Sequence, residues 1–173
     1  RGTHGWCDYP GLGVSTDAVV VTGNIFPSSG SLLGTKIRVF DKVELYDGDA
    51  VATFVDVDTP NSGGDPSGSG GSIQPAHHFG SPPSGVFYLL QSWDATNLRV
   101  VALTGVPGSP AVYASFLSTS DQGPCVGDIG APQLGTTKTV NTLCDGSARM
   151  MNAIWRDGSL WGTNTGSDAT HAR

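Results

Sequence analysis

The segment 148–163 carries the strongest local folding signal in this sequence. Two largely apolar runs, 150–155 and 160–164, flank the dipeptide Asp157-Gly158. Asp-Gly between such runs is typical of a β-hairpin, because a two-residue turn of the favoured hand needs positive φ at both central positions. The segment therefore predicts two antiparallel strands joined at Asp157-Gly158.

The composition extends this prediction to the whole chain. A single glutamate, Glu44, stands beside fourteen aspartates, and the chain has 25 glycines and 11 prolines. Glutamate favours helices, whereas aspartate, glycine and proline favour turns. No window shows a sustained i, i+3, i+4, i+7 apolar pattern, which an amphipathic helix would need. We therefore expect an all-β fold of short strands and many turns.

Charge and hydropathy exclude several classes of partner. The net charge is −6 and no cluster of lysine and arginine occurs, which disfavours nucleic acid and anionic membranes. The longest apolar run, 86–90, is far too short to span a bilayer. Arg1 is not an initiator methionine, and we expect both ends to be cut from a longer chain. The lack of a targeting segment is then uninformative.

Three cysteines allow at most one internal disulfide. Cys125 and Cys144 flank one loop-rich segment and are the candidate pair, with Cys7 left over. The alternative is three free or buried thiols, since spacing alone does not establish connectivity. Few charges and much glycine, serine and threonine favour an extracytoplasmic location, either secreted, periplasmic or on the cell surface.

Further strands are predicted where β-branched or alternating runs occur, at 17–22, 36–40, 51–57, 86–92 and 98–103. Segment 6–13 reads as turn-rich, 24–34 as a polar loop, and 41–49 as a connection anchored by Leu45-Tyr46. Segment 58–72 has almost nothing to bury and predicts a flexible loop.

These pieces repeat along the chain. Small-residue segments at 10–13, 74–77 and 131–135 each precede an apolar strand, and Arg-Val pairs follow twice, at Arg38 and Arg99. The pattern predicts a β-propeller-like fold of about three antiparallel blades, whose approximate ranges are 6–57, 73–117 and 121–173. A two-sheet sandwich built from the same strands is the alternative.

Three motifs carry a family resemblance that covers nearly the whole chain. Asp8-Tyr9-Pro10, the segment 74–77 and the segment 152–161 resemble recurrent signatures of uncharacterised, secreted bacterial proteins that are expected to form multi-bladed β-propellers. Closed propellers typically have about four to eight blades. The resemblance therefore implies an open arc, or part of a larger ring in which the remaining blades are partners of this piece. It implies no activity and no catalytic residues.

Candidate ligand-binding residues are His77, His78, Trp93, Asp94 and Asp8. Adjacent histidines on a strand point to opposite sides, so only one of them can face a given site. The favoured alternative is that one histidine packs in a blade interface while the other hydrogen-bonds a loop. No Cys-x-x-Cys or His-Glu-x-x-His motif occurs, and Pro60 interrupts the calcium-like start at Asp56. We therefore predict neither a metal site nor a cofactor.

The aspartates and tryptophans each allow two interpretations. Asp8, Asp17 and Asp94 could line a funnel and act in pairs on a sugar, or they could satisfy backbone N–H groups at turns. Trp155 and Trp161 lie inside the predicted hairpin strands, which favours packing between blades. Trp93 lies near a strand end and is the better candidate for contacts at a rim.

These observations lead to two hypotheses about function. The first is an extracytoplasmic binding or scaffolding module for carbohydrate or protein, which the turn-rich loops and the lack of a catalytic motif favour. The alternative is a hydrolase or lyase that acts on extracellular carbohydrate through aspartate and histidine at the propeller funnel.

Overall fold

The fold of the protein is all-β. The computed structural model describes residues 5–28, 30, 32–48, 52–58, 72–80, 83–94, 96–119, 131–132, 134–135, 139–140 and 149–164. The elements, in chain order, are β1 (Gly5–Val14), β2 (Ala18–Pro27), β3 (Gly34–Asp41), α1 (Lys42–Tyr46), β4 (Phe54–Asp58), β5 (Gln74–Pro75), β6 (His77–Phe79), β7 (Val86–Ser92), β8 (Asn97–Thr104), β9 (Ala111–Ser118), β10 (Ala131–Pro132), β11 (Thr139–Val140), β12 (Met150–Arg156) and β13 (Ser159–Asn164). Among these residues, no helix is long and apolar enough to cross a membrane, and α1 has only five residues.

The strands form three main sheets. The first sheet has the order β1-β2-β3-β4 and the second has the order β5-β7-β8-β9, and both are antiparallel throughout. The third sheet has the order β13-β12-β6, in which β6 runs parallel to β12. Strands β10 and β11 form a separate short pair.

The second sheet lies in the middle, because both of its faces are covered by apolar side chains of its neighbours. One core cluster joins the first and second sheets and contains Ala18, Val20, Ile37, Val39, Val57, Ile73, Phe87, Leu89, Val101, Leu103 and Val106. A second cluster joins the second and third sheets and contains Ala76, Leu90, Met150, Ala153 and Trp155. Alternation along β7 sends Leu89 to one neighbour and Leu90 to the other.

Strands of the three sheets approach one another closely, and we call β1, β5, β6, β7 and β12, which make these approaches, the inner strands. Strand β1 lies against β5 and β6, and β12 lies against β5 and β7. A Cβ atom on Gly13 would lie 2.7 Å from the carbonyl oxygen of Ala76, so only glycine fits at this crossing. The small residues of the repeated segments thus allow backbones of neighbouring sheets to approach.

Strand β1 differs from the turn-rich segment that we predicted at 6–13. A bulge between Asp8 and Gly11 absorbs Tyr9, whose φ is +50°, and Pro10 lies where β1 forms the edge of the first sheet. Proline and a bulge are both tolerated at a sheet edge, because no ladder hydrogen bond is needed there. Residues that signal a turn in isolation are therefore part of a strand.

Two predicted connections also differ from the structure. Strand β2 continues to Pro27, into the predicted loop 24–34. The polar side chain of Asn24 can be buried there because it hydrogen-bonds the backbone N–H and the hydroxyl of Ser72. In the segment 41–49, Asp41 caps α1 by accepting a hydrogen bond from the N–H of Val43. Tyr46 is 72% exposed there, so the predicted anchoring role of Leu45-Tyr46 is wrong.

The predicted hairpin is confirmed. Strands β12 and β13 are joined at Asp157 and Gly158, whose φ values are +50° and +78°. We expected every blade to be antiparallel, but the third sheet contains one parallel pair. The chain leaves β7 after Ala76, and β6 then pairs in parallel with β12. The predicted disulfide of Cys125 and Cys144 and residues 59–71 of the predicted flexible loop lie outside the described residues.

Candidate functional site

His78 lies half-buried between the second and third sheets. Its ring is 4.6 Å from that of Phe87 and 5.8 Å from that of Trp155, measured between ring centroids. Its Nε2 accepts a hydrogen bond of 3.2 Å from the backbone N–H of Tyr88. Burial, with a smaller effect of neighbouring His77, lowers the pKa of His78 to about 4. The side chain is therefore a neutral packing group at neutral pH, and Nδ1 carries its proton.

His77 lies on the other side of β6 from His78, opposite Ile154 of β12. Its side chain is only partly exposed. Among the described residues, no three histidine, cysteine, aspartate or glutamate side chains are grouped so that they could hold a metal ion. The histidine pair is thus split between a sheet interface and the opposite side of a short strand.

Asp94 occupies a turn directly after β7. Its carboxylate accepts hydrogen bonds from the side chain of Asn97 at 2.9 Å and from the backbone N–H of Thr96 at 2.8 Å. These bonds, that from Asn97 most of all, lower the pKa of Asp94. Such contacts are typical of an aspartate that satisfies backbone N–H groups at a turn, and not of one that acts on a sugar.

Trp93 is half-buried beside the same turn. Its ring meets the Phe116 ring edge-on at 5.2 Å, and the guanidinium carbon of Arg99 lies 5.3 Å from its centre. Arg99 is 3% exposed, and burial lowers its pKa. Trp93 therefore covers a buried cation and leaves only part of its ring for a rim contact.

The structure does not bring the candidate residues into one site. Asp8 is the strand partner of Asn24, and Asn24 hydrogen-bonds Ser72. Ser72 lies near the C-terminal end of β7, which Trp93 and Asp94 follow. His78 lies at Tyr88, five residues before Trp93 along β7. At a rise of about 3.3 Å per residue, these positions are roughly 16 Å apart. The aspartates and the histidines thus lie toward opposite ends of the second sheet.

A different surface gathers an exposed aromatic ring and polar groups. Trp161 is 65% exposed on the outer side of the third sheet. It lines an open depression of about 450 Å³ together with Ile154, Arg156, Asp157 and Ser159. Arg156 Nε lies 3.4 Å from the carboxylate of Asp157, and both side chains are largely exposed. We call this surface the Trp161 depression.

We predicted that both hairpin tryptophans pack between blades. Trp155 is buried between the third and second sheets, whereas Trp161 is exposed on the side of the third sheet that faces away from the second. Trp155 is 8% exposed and pairs with Leu160, whereas Trp161 pairs with Ile154. Cross-strand partners share a face, and neighbouring pairs alternate between faces. The two-residue turn already requires this alternation, so the sequence contained the signal that Trp161 faces away from Trp155.

The outer face of the first sheet is the second exposed surface of interest. Leu12 and Phe54 are about half exposed there. Arg38 lies between them in the sheet, bonds Asp56 through two hydrogen bonds of 2.7 and 3.0 Å, and stacks on Phe54 at 3.7 Å. The hydrogen bond from Arg38, aided by Lys36, lowers the pKa of Asp56 to about 2. The face is apolar with a paired charge at its centre.

A smaller cavity of about 140 Å³ separates the first sheet from the turn that contains Pro107. Two of its lining residues are carboxylates, and each already has a structural contact. Asp41 caps α1, and Glu44 accepts hydrogen bonds from Thr53. The cavity therefore offers little free chemistry to a ligand.

Comparisons of the chain with protein-family models, with curated proteins and with solved structures gave no match.

Proposed function

We propose that this chain is an extracytoplasmic binding or scaffolding module of the propeller type, and that it binds its ligand in the Trp161 depression. The exposed Trp161 ring carries this proposal. An aromatic ring in an open cleft suits the apolar face of a sugar or an extended peptide, and neighbouring charged and hydroxyl groups suit its polar edges. Arg156, Asp157 and Ser159 supply such groups around the ring.

The proposed blade arrangement is supported by a shared register in the first two sheets. Arg38 on β3 lies between Val21 and Asp56, and Arg99 on β8 lies between Gln91 and Phe116. In both sheets the residues that flank the arginine face the next sheet along the chain. These pairs are Ile37 with Val39 and Leu98 with Val100. The two arginines thus occupy the same position in the strand order, and their neighbours point the same way along the chain, as expected for successive blades.

The way in which the sheets approach one another supports the same arrangement. Their inner strands lie close together, whereas β4 and β9 have no strand of another sheet at comparable distance among the described residues. Blades that radiate from an axis have this geometry. The face of the second sheet that carries Arg99 is covered by the first sheet, and the face of the first sheet that carries Arg38 is exposed. An open arc and a piece of a larger ring both fit this difference.

Trp161 has a second candidate role in such a ring. Ile154 and Trp161 lie on the side of the third sheet that faces away from the second sheet, where a further blade would pack. A blade at this position would bury the ring and leave no access for a sugar. The scaffolding role and the ligand-binding role are therefore distinguished by whether Trp161 responds to soluble ligands.

Tryptophan fluorescence tests the proposal. Titration with a panel of neutral and acidic oligosaccharides should quench or shift the emission for at least one of them. Trp161→Ala should weaken that binding at least tenfold. Trp6→Ala is the matched control, because Trp6 is 51% exposed and stacks on Phe26 in the first sheet. Calorimetry measures the affinity of Trp161→Ala, because this variant lacks the reporting ring. If no saccharide changes the emission, or if Trp161→Ala binds as tightly as the parent, saccharide binding in this depression is excluded.

The hydrolase or lyase alternative gains no support from the geometry. His78 packs as a neutral side chain, and Asp94 bonds its own turn at the far end of β7. Alanine variants of His77, His78 and Asp94, assayed on a broad panel of glycans, test it directly. Turnover that persists in all three variants would leave no catalytic role for these residues.

A further inference from the structure

The free edge of the second sheet is a surface that the proposed function does not use. Strand β9 forms this edge, and in the described part of the chain it pairs with β8 alone. Its eight residues, Ala111–Ser118, contain no charge and no proline, and they keep one continuous register with β8. Natural proteins usually protect such an edge with charge, proline, a bulge or a very short strand. β9 has none of these features.

The side chains of β9 increase the exposure of this edge. Tyr113 is 62% exposed and Leu117 is 54% exposed on one face, and Phe116 is 50% exposed on the other. The corresponding edge of the first sheet differs, because β4 has five residues and two of them are Asp56 and Asp58. Strand β13 at the edge of the third sheet is also uncharged, but it has six residues and its ladder with β12 contains a register shift. A longer uncharged edge with one continuous register is therefore particular to β9 among the described edge strands.

We propose that β9 pairs edge to edge with β9 of a second copy of this chain. The two strands would run antiparallel, and two four-stranded sheets would become one continuous sheet of eight strands. Backbone N–H and C=O groups on the outer side of β9, which have no strand partner among the described residues, would then bond each other across a two-fold axis.

The sequence of β9 suits a copy of itself. Directly opposed residues of antiparallel strands share a face, so a two-fold axis normal to the sheet must pass through one residue position. With Ser115 opposite itself, Tyr113 of each copy lies opposite Leu117 of the other. Ala114 then lies opposite Phe116 on the second face. Each large exposed side chain gains a partner, and the small Ser115 occupies the centre.

Charge also favours a second copy at this edge. The chain has a net charge of −6, so most approaches of two copies bring like charges together. β9 is free of charge along its whole length, and its pairing sets no acidic side chain opposite another. The proposed contact involves neither the Trp161 depression nor the outer face of the first sheet.

Light scattering coupled to size exclusion tests the inference on the full 173-residue chain. We expect a concentration-dependent dimer. Tyr113→Lys combined with Leu117→Lys sets lysine opposite lysine twice, and it should shift the species to monomer. Leu12→Lys combined with Leu33→Lys adds the same charge at two exposed leucines outside β9, and this control should stay dimeric.

A charge swap makes the test specific for the register. Tyr113→Lys combined with Leu117→Glu sets each new lysine opposite a new glutamate of the other copy, so it should restore the dimer that the double lysine variant loses. Circular dichroism of each variant checks that the β fold is retained. A synthetic peptide with the sequence of residues 111–118 should compete for the edge and release monomer.

Three results would overturn the inference. The first is a parent chain that stays monomeric up to millimolar concentration. The second is a dimer that survives the double lysine change, which would place the interface elsewhere. The third is a parent chain that stays monomeric and nevertheless binds the strand peptide, which would show that the edge accepts an extended peptide and not a second folded copy.

Discussion

The imidazole of His78 takes the place of a strand carbonyl opposite Tyr88. The N–H of Ala76 still donates to the carbonyl of Tyr88, and two residues later Nε2 of His78 accepts the N–H of the same tyrosine at 3.2 Å. The chain turns away from β7 between these contacts to pair with β12. A side chain thus satisfies the backbone donor that the departing strand leaves behind, which is the condition for such a change of sheet.

The first prediction is that stability falls between about pH 6.5 and pH 4 because of His78. Its folded-state pKa of about 4 lies below its usual value of 6.5, so the unfolded chain takes up a proton in this window and the folded chain does not. Because the side chain is only half-buried, we expect a loss of roughly 1–2 kcal/mol. Urea unfolding at pH 7.5, 5.5 and 4.5 measures it.

His78→Gln should flatten that pH dependence, because the amide oxygen can accept the same hydrogen bond without titrating. His77→Gln is the control, and it should keep most of the slope of the parent, because burial is the larger cause of the lowered pKa of His78 and His77 the smaller one. The carboxylate of Asp56, with a pKa of about 2, titrates at lower pH and does not interfere in this window. Equal slopes for the parent and His78→Gln would contradict the assignment.

The second prediction concerns the crossing of β1 over β5. Gly13→Ala would place a methyl group 2.7 Å from the carbonyl oxygen of Ala76 and 2.8 Å from the carbonyl carbon of Pro75. Both are backbone atoms that cannot move aside, so we expect a loss of about 1–3 kcal/mol in the free energy of unfolding.

Gly108→Ala is the matched control for this crossing. A Cβ atom at position 108 meets nothing within 4 Å, so the free energy of unfolding of Gly108→Ala should stay close to that of the parent. Urea unfolding with both variants measures the difference, and equal midpoints would show that the inner strands do not approach so closely.

Local patterns in the sequence predicted much of the strand content but not the contacts between sheets. The Asp157-Gly158 turn fixed its hairpin, because both conformation and register depend on neighbouring residues. The glycines of β1 read as turn residues, since the reason for them is a strand about 60 residues away in sequence. The parallel pairing of His77 with Ile154 depends on two distant segments, and no periodicity in either segment signals it.

The candidate site was predicted less well than the fold, for a similar reason. Residue type identified Trp93, Asp94 and the two histidines, but hydrogen bonds to their own neighbourhood now account for Asp94 and His78. The position of Trp161 inside a predicted strand does not say which face of the sheet it lies on. That face follows from the turn length, because cross-strand pairs alternate between faces.

The third prediction tests the turn of the hairpin. Gly158 has a φ of +78° and open space around its Cα, so Gly158→Val adds backbone strain without a clash. We expect it to cost about 1–2 kcal/mol, whereas Asp157→Asn should be nearly neutral because asparagine suits the first turn position. Thermal unfolding compares the two variants. A Gly158→Val protein as stable as the parent would mean that this residue does not adopt positive φ.

The fourth prediction separates the two tryptophans of the hairpin. Trp155 is buried against the second sheet, so Trp155→Ala should lower the free energy of unfolding by about 3–5 kcal/mol. Trp161 is on the opposite face and mainly exposed, and Trp161→Ala should change it by less than about 0.5 kcal/mol. Urea unfolding of both variants measures this, and acrylamide should quench the emission of Trp161 more than that of Trp155. Similar losses for the two variants would show that another part of the protein covers Trp161, which would favour its packing against a further blade over its role in ligand binding.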